Sequence, residues 1–102
     1  MNNCTFVGNL TADAEVRSTT GGQSVTKFRI GSTAGFGERK HTIWLGCDLW
    51  GNRGEALAPY LKKGTPITVA GALSQREHEG KTYLDLRVNE VALHSSKEQN
   101  PF

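Results

Sequence analysis

Cysteine, proline and methionine are scarce in this 102-residue chain, which has two, three and one of them. Cys4 and Cys47 cannot form a disulfide framework of the kind that holds small secreted domains together, and neither has a second cysteine at metal-ligand spacing. Each lies in an apolar, strand-like run, which reads as a reduced core thiol. His41, His78 and His94 are too scattered to form a metal cluster, so neither a metal nor a cofactor is expected. No apolar run approaches the roughly 20 residues that cross a bilayer. The start Met1-Asn2-Asn3-Cys4 lacks the basic-then-apolar layout of a secretion signal, and a cytoplasmic location follows as the expectation. An excess of one charge is missing as well. Twelve Lys and Arg against ten Asp and Glu leave a net charge of +2, which permits a polyanionic partner without arguing for one. No carboxylate pair, activated serine or cysteine, or strand-to-helix phosphate loop is visible, so no catalysis is expected.

What the chain does have is glycine, twelve of them, between short alternating apolar runs, the pattern of one compact β domain with tight turns. Cys4 to Leu10 reads as a first strand, continued after a short turn by Glu15-Val16-Arg17. Thr19-Thr20-Gly21-Gly22-Gln23 marks a hairpin. Ser24 to Ser32 alternates next, with Phe28 and Ile30 on one face and Val25, Lys27 and Arg29 on the other. Gly31 to Lys40, around Phe36, reads as a mobile loop. Between Gly51 and Gly64 the spacing of Ala56, Leu57, Tyr60 and Leu61 is helical, and Tyr60 is expected in the core. Pro59 should shorten or kink that helix. Pro66 to Arg76 and Thr82 to Leu93 are two more strands, joined by a polar tip over Glu77 to Lys81. The order predicts an all-β domain, the OB-fold five-stranded barrel with one short helix between strands 3 and 4, with an unrelated small barrel carrying a single helix as the alternative. Residues 1–94 form that domain and residues 95–102 a short tail.

The run from His41 to Trp50 carries the functional signal. Ile43, Leu45, Cys47 and Leu49 make a complete core face, which leaves Trp44, Gly46, Asp48 and Trp50 on the other side. Two tryptophans on an outer sheet face waste apolar area unless another protein chain or a flat ligand such as a nucleobase covers them. Lys27 and Arg29 on the neighbouring strand, with Arg39 and Lys40 in the loop, offer an electrostatic track beside them. Asp48 opposes it.

Val7-Gly8-Asn9-Leu10, Asp13, Glu15-Val16-Arg17, Gly22, Val25 and Phe28 follow the opening of a known family. Tyr60-Leu61-Lys62-Lys63-Gly64, Val69-Ala70-Gly71, Gly80 and Tyr83 continue it in order. Over roughly residues 3 to 93 the chain resembles the bacterial-type single-stranded-DNA-binding proteins. The resemblance implies a homo-oligomer of OB-folds, a tetramer with a dimer as the alternative, that holds single-stranded DNA with little sequence preference. It places Phe36, Trp44 and Trp50 at base-stacking positions, and His78 at a fourth position where the family has a larger aromatic. Arg17, Lys63 and Arg76 fall on its nucleic-acid-facing basic positions. Three departures stand out. The loop after the third strand segment is short, Glu77 replaces a basic residue, and the long linker with its acidic tip is missing from these residues. The ending Pro101-Phe102 matches the last two residues of that tip and is the candidate for recruiting partner proteins. A primosomal accessory protein of the same fold, bridging DNA and partners, is the alternative reading, and an RNA ligand stays open.

Overall fold

The computed structural model describes residues 2–34 and 37–94. Its strands are β1 (Cys4–Leu10), β2 (Glu15–Ser18), β3 (Ser24–Ala34), β4 (His41–Trp50), β5 (Pro66–His78) and β6 (Lys81–Leu93). Helix α1 spans Asn52–Leu57, and single 3₁₀ turns occupy Gly37–Arg39 and Ala58–Tyr60. The strands form one sheet in the order β1-β5-β6-β4-β3-β2, and a further β1–β3 pairing closes the first five into a ring. β4 and β6 run parallel, and the other pairs are antiparallel.

This ring is the five-stranded barrel expected from the sequence. β1 and β2 line up one after the other along β3, through Asn9↔Gly31 and Leu10↔Ile30 and then Glu15↔Lys27 to Ser18↔Ser24. They are two halves of one bent strand, so α1 lies between the third and fourth strands of the barrel.

Alternation fills the inside. Phe28 and Ile30 of β3, Leu45, Cys47 and Leu49 of β4, Ile67 and Val69 of β5, and Leu86 and Val88 of β6 form one buried cluster, with Leu10 and Leu61 closing it. Full burial of such a side chain stabilises by about 1.5–3 kcal/mol. Close backbone approach needs glycine at two crossings. A Cβ on Gly8 would collide with the Gly31 carbonyl oxygen, and one on Gly71 with the Arg87 carbonyl oxygen. Gly71 also sits where the β5–β6 register shifts, so the barrel bends there.

Four expectations are corrected. Tyr60 is 65% exposed, because the helix tightens into the 3₁₀ turn around Pro59, and Leu57 and Leu61 reach the core in its place. The loop expected from Gly31 is shorter, since pairing with β4 carries β3 on to Ala34 opposite His41. The hairpin tip narrows to Glu79 and Gly80, whose φ values of 53° and 79° allow a two-residue turn between His78 and Lys81. Val25 keeps its outward parity but is buried, opposite Arg17 on one side and Trp50 on the other.

Candidate nucleic-acid interface

The pairing register turns the outer side of four strands into one continuous face. On β3, Lys27, Arg29 and Gly31 lie opposite Asp48, Gly46 and Trp44 of β4. Across the parallel step, Gly46 pairs with Asp85 and Asp48 with Arg87 of β6. One more step reaches β5, where Arg76 lies opposite Tyr83 and Ser74 opposite Asp85.

Three aromatics stand on this face in different states. Trp44 is 59% exposed, and its ring extends across Gly31, where a Cβ would come within 2.9 Å of Cζ3. Trp50 is less open at 36%, and the Arg87 guanidinium lies over its ring, 5.4 Å from the centre. Tyr83 is half-buried under the Arg76 guanidinium, 4.8 Å from its ring centre. Arg76 is tied down from the side, because its Nε donates to Asp85 Oδ2 at 2.7 Å. Gly46 makes room for that carboxylate, since a Cβ there would stand 2.9 Å from Asp85 Oδ1.

The charges are largely paired. Lys27 Nζ donates to Asp48 Oδ1 at 3.1 Å and Arg17 Nη2 to Glu15 Oε1 at 2.8 Å. These pairs are solvent-exposed and add little stability, but they lower the free positive charge of the face. Among the described residues Arg29 takes part in no ion pair, and it lines two hollows of this face. One hollow, of about 330 Å³, is bordered by Arg17, Lys27, Arg29, Asp48 and Asp85. The other, of about 420 Å³, runs between Trp44, Tyr83, Arg29 and Arg76. Beneath them, burial first and then the nearby charges of Asp48 and Asp85 push the Cys47 thiol up to about 12. It stays protonated and is no nucleophile. Among the described residues no group of three or more metal-binding side chains converges.

Of the residues singled out in the sequence, Lys27, Arg29, Trp44 and Arg76 come together here. Arg17 sits at their rim, and Trp50 stands at the far end of the same strand. Three others lie apart. Lys63, two residues after Leu61, donates its backbone N–H to Asp13 Oδ1 at 2.8 Å. Arg39 belongs to the 3₁₀ turn, and its carbonyl accepts from His41 Nδ1 at 3.0 Å. His78 stands at the end of β5, beside the hairpin tip. Phe36, Pro101 and Phe102, and the tail from residue 95 onward, lie outside the described residues. Tyr83, Asp85 and Arg87 were not among the candidates. Their signal was the alternation of β6 itself, which turns Leu84, Leu86 and Val88 inward and these three outward.

The model of the single-strand binding protein family matches residues 1–97. The chain is 43% identical over 76 residues to the single-stranded DNA-binding protein of Chlamydia trachomatis serovar D, an overlap of 74% of this chain and 48% of that protein. It is 35% identical over 99 residues to the protein of the same name from Mycobacterium tuberculosis, covering 85% of this chain and 60% of the relative. The chain thus spans about half the length of the Chlamydia relatives it matches. No helix among the described residues is long and apolar enough to cross a membrane.

Proposed function

This chain belongs to the single-strand binding protein family, and from that premise we propose that it covers single-stranded DNA with little regard to sequence, in replication, recombination or repair. The observation that supports this most is the gathering of Trp44, Tyr83, Arg76 and Arg29 around one hollow, on a sheet face whose other side is the closed core. Bases lifted out of a duplex lose stacking partners, and an aromatic ring replaces one of them. Each such stack contributes about 1–3 kcal/mol and accepts any base. Trp44 and Trp50 are six residues apart on one strand, about 20 Å, so they serve different nucleotides. Arg17, Lys27 and Arg29 follow the phosphates, Arg39 and Lys63 extend that track, and Phe36 and His78 add stacking contacts. The mechanism is binding alone, with no covalent step.

Two finer statements belong to the same proposal. The protein works as a homo-oligomer, a tetramer or a dimer, a reading that rests on the family, with Val7, 61% exposed on the outer side of β1, as one apolar side chain a second copy would cover. It acts in the cytoplasm, on DNA exposed at the nucleoid. Titration with oligo(dT) and with a duplex of equal length, read by intrinsic tryptophan fluorescence, tests the central claim. Strong quenching by the single strand that persists in part at high salt is the expected result. Binding that ignores strandedness and vanishes with salt would overturn it and favour a bridging role.

A further inference from the structure

We propose that Arg76 and Tyr83 form a composite stacking platform for a nucleobase, with Arg76 serving as the stacking surface and not as a phosphate contact. The inference rests on the single-strand reading above. Its origin is the way Arg76 is held. The guanidinium lies over the Tyr83 ring, 4.8 Å from the ring centre. Asp85 fixes it from the edge through the 2.7 Å bond to Nε. A guanidinium that reaches for phosphate needs freedom and unspent charge. This one has less of both, because a carboxylate holds its Nε and the group lies over an aromatic ring. What such an arrangement offers is a flat, weakly hydrated surface, and the side chain is still 56% exposed. Planar guanidinium groups stack on bases as aromatic rings do.

The surroundings agree with a base and not with a phosphate. Arg76 and Tyr83 face Trp44 across the same hollow of about 420 Å³, with Ile43 and Leu84 in its lining. Trp44 and Tyr83 each stand one residue before the paired Leu45 and Leu84 on two parallel strands, so the two stacking surfaces are neighbours. Successive bases of one strand can occupy them. The platform also supplies flat contact area near the hairpin, where β5 ends at His78. Gly46 belongs to the device, because the space left by its missing side chain admits the Asp85 carboxylate that aligns Arg76.

Arg76→Lys and Arg76→Ala, titrated with oligo(dT) at low and high salt beside the unaltered protein, separate the two roles. Stacking requires the plane, so Arg76→Lys should lose roughly tenfold in affinity at high salt, close to the loss in Arg76→Ala. The salt dependence of Arg76→Ala should equal that of the parent. If Arg76→Lys binds like the parent and Arg76→Ala flattens the logarithmic salt slope by about 0.7, Arg76 is a phosphate contact and the platform is refuted. Tyr83→Leu, which keeps bulk and loses the ring, should weaken binding as Arg76→Lys does. Normal affinity in that variant would also count against the platform. Failure of the parent itself to bind single strands would instead overturn the function proposed above.

Discussion

The Arg87 guanidinium lies 5.4 Å from the centre of the Trp50 ring, on the outer face where Trp44 has no such partner among the described residues. One face of the Trp50 indole is therefore already engaged, by a guanidinium that no carboxylate among the described residues holds in place as Asp85 holds Arg76, and a base gains less there than at Trp44. Trp44→Ala should weaken oligo(dT) binding by roughly tenfold or more, and Trp50→Ala by clearly less. Equilibrium titrations of the two variants check this, with circular dichroism to confirm that both stay folded. Equal losses would mean that Arg87 moves off the ring when DNA arrives.

Gly31 and Gly71 are both crowded, but by neighbours of different stiffness. At Gly71 a Cβ would meet the Arg87 backbone, which has nowhere to go without breaking the β5–β6 ladder. At Gly31 it would meet the Trp44 ring, which stands in solvent and can swing away. Gly71→Ala should lower the urea midpoint by the equivalent of about 1–3 kcal/mol. Gly31→Ala should leave the midpoint nearly unchanged and instead weaken DNA binding by displacing Trp44. A large loss of stability in Gly31→Ala would show that the ring is held more firmly than its exposure implies.

The contrast between β4 and β6 explains how much of this site could be seen in advance. In β4 both tryptophans fall on the face opposite Ile43, Leu45, Cys47 and Leu49, so period-two reading alone exposes that face. Lys27 and Arg29 followed because an antiparallel neighbour keeps the same parity. The barrel is equally legible, since β1, β3, β4, β5 and β6 alternate where they meet the core and Leu61 follows a proline-broken helix. Tyr83, Asp85 and Arg87 were harder, because β6 reaches β4 through a parallel pairing that no hairpin announces. Ion pairs such as Lys27–Asp48 depend on register, which the sequence does not print. Tyr60 misled because helical spacing counts as buried only while the helix lasts, and here it ends before the ring could turn inward.

Asp48 holds Lys27 through a 3.1 Å contact on the proposed binding face. A phosphate must compete with that carboxylate for the ammonium and also meets its negative charge. Asp48→Asn keeps the shape and removes both obstacles. Its affinity for oligo(dT) at low salt should rise, and the logarithmic salt slope should steepen by about 0.7, the share of one added phosphate contact on a single strand. Titrations over a range of sodium chloride concentrations measure both. An unchanged slope would place the DNA backbone away from Lys27.

Cys47 links the floor of the site to alkaline stability. In the folded barrel its thiol is raised from 9.0 to about 12, by burial first and then by the charges of Asp48 and Asp85. In the unfolded chain it ionises near its ordinary value. Between those two points the unfolded state has released a proton that the folded state still holds, so stability falls as pH rises. Below about pH 9 both states keep the proton and the thiol makes no pH-dependent contribution. Within the window the loss approaches about 1.4 kcal/mol per pH unit from this group alone. Lysines and tyrosines titrate in the same range, so the comparison needed is with Cys47→Ala. That variant loses packing at every pH, yet its urea midpoint should decline less steeply than the parent's from about pH 9 upward. Parallel declines in the two proteins would mean that the Cys47 thiolate is accommodated in the fold, through water or a shift of Asp48 and Asp85 away from it.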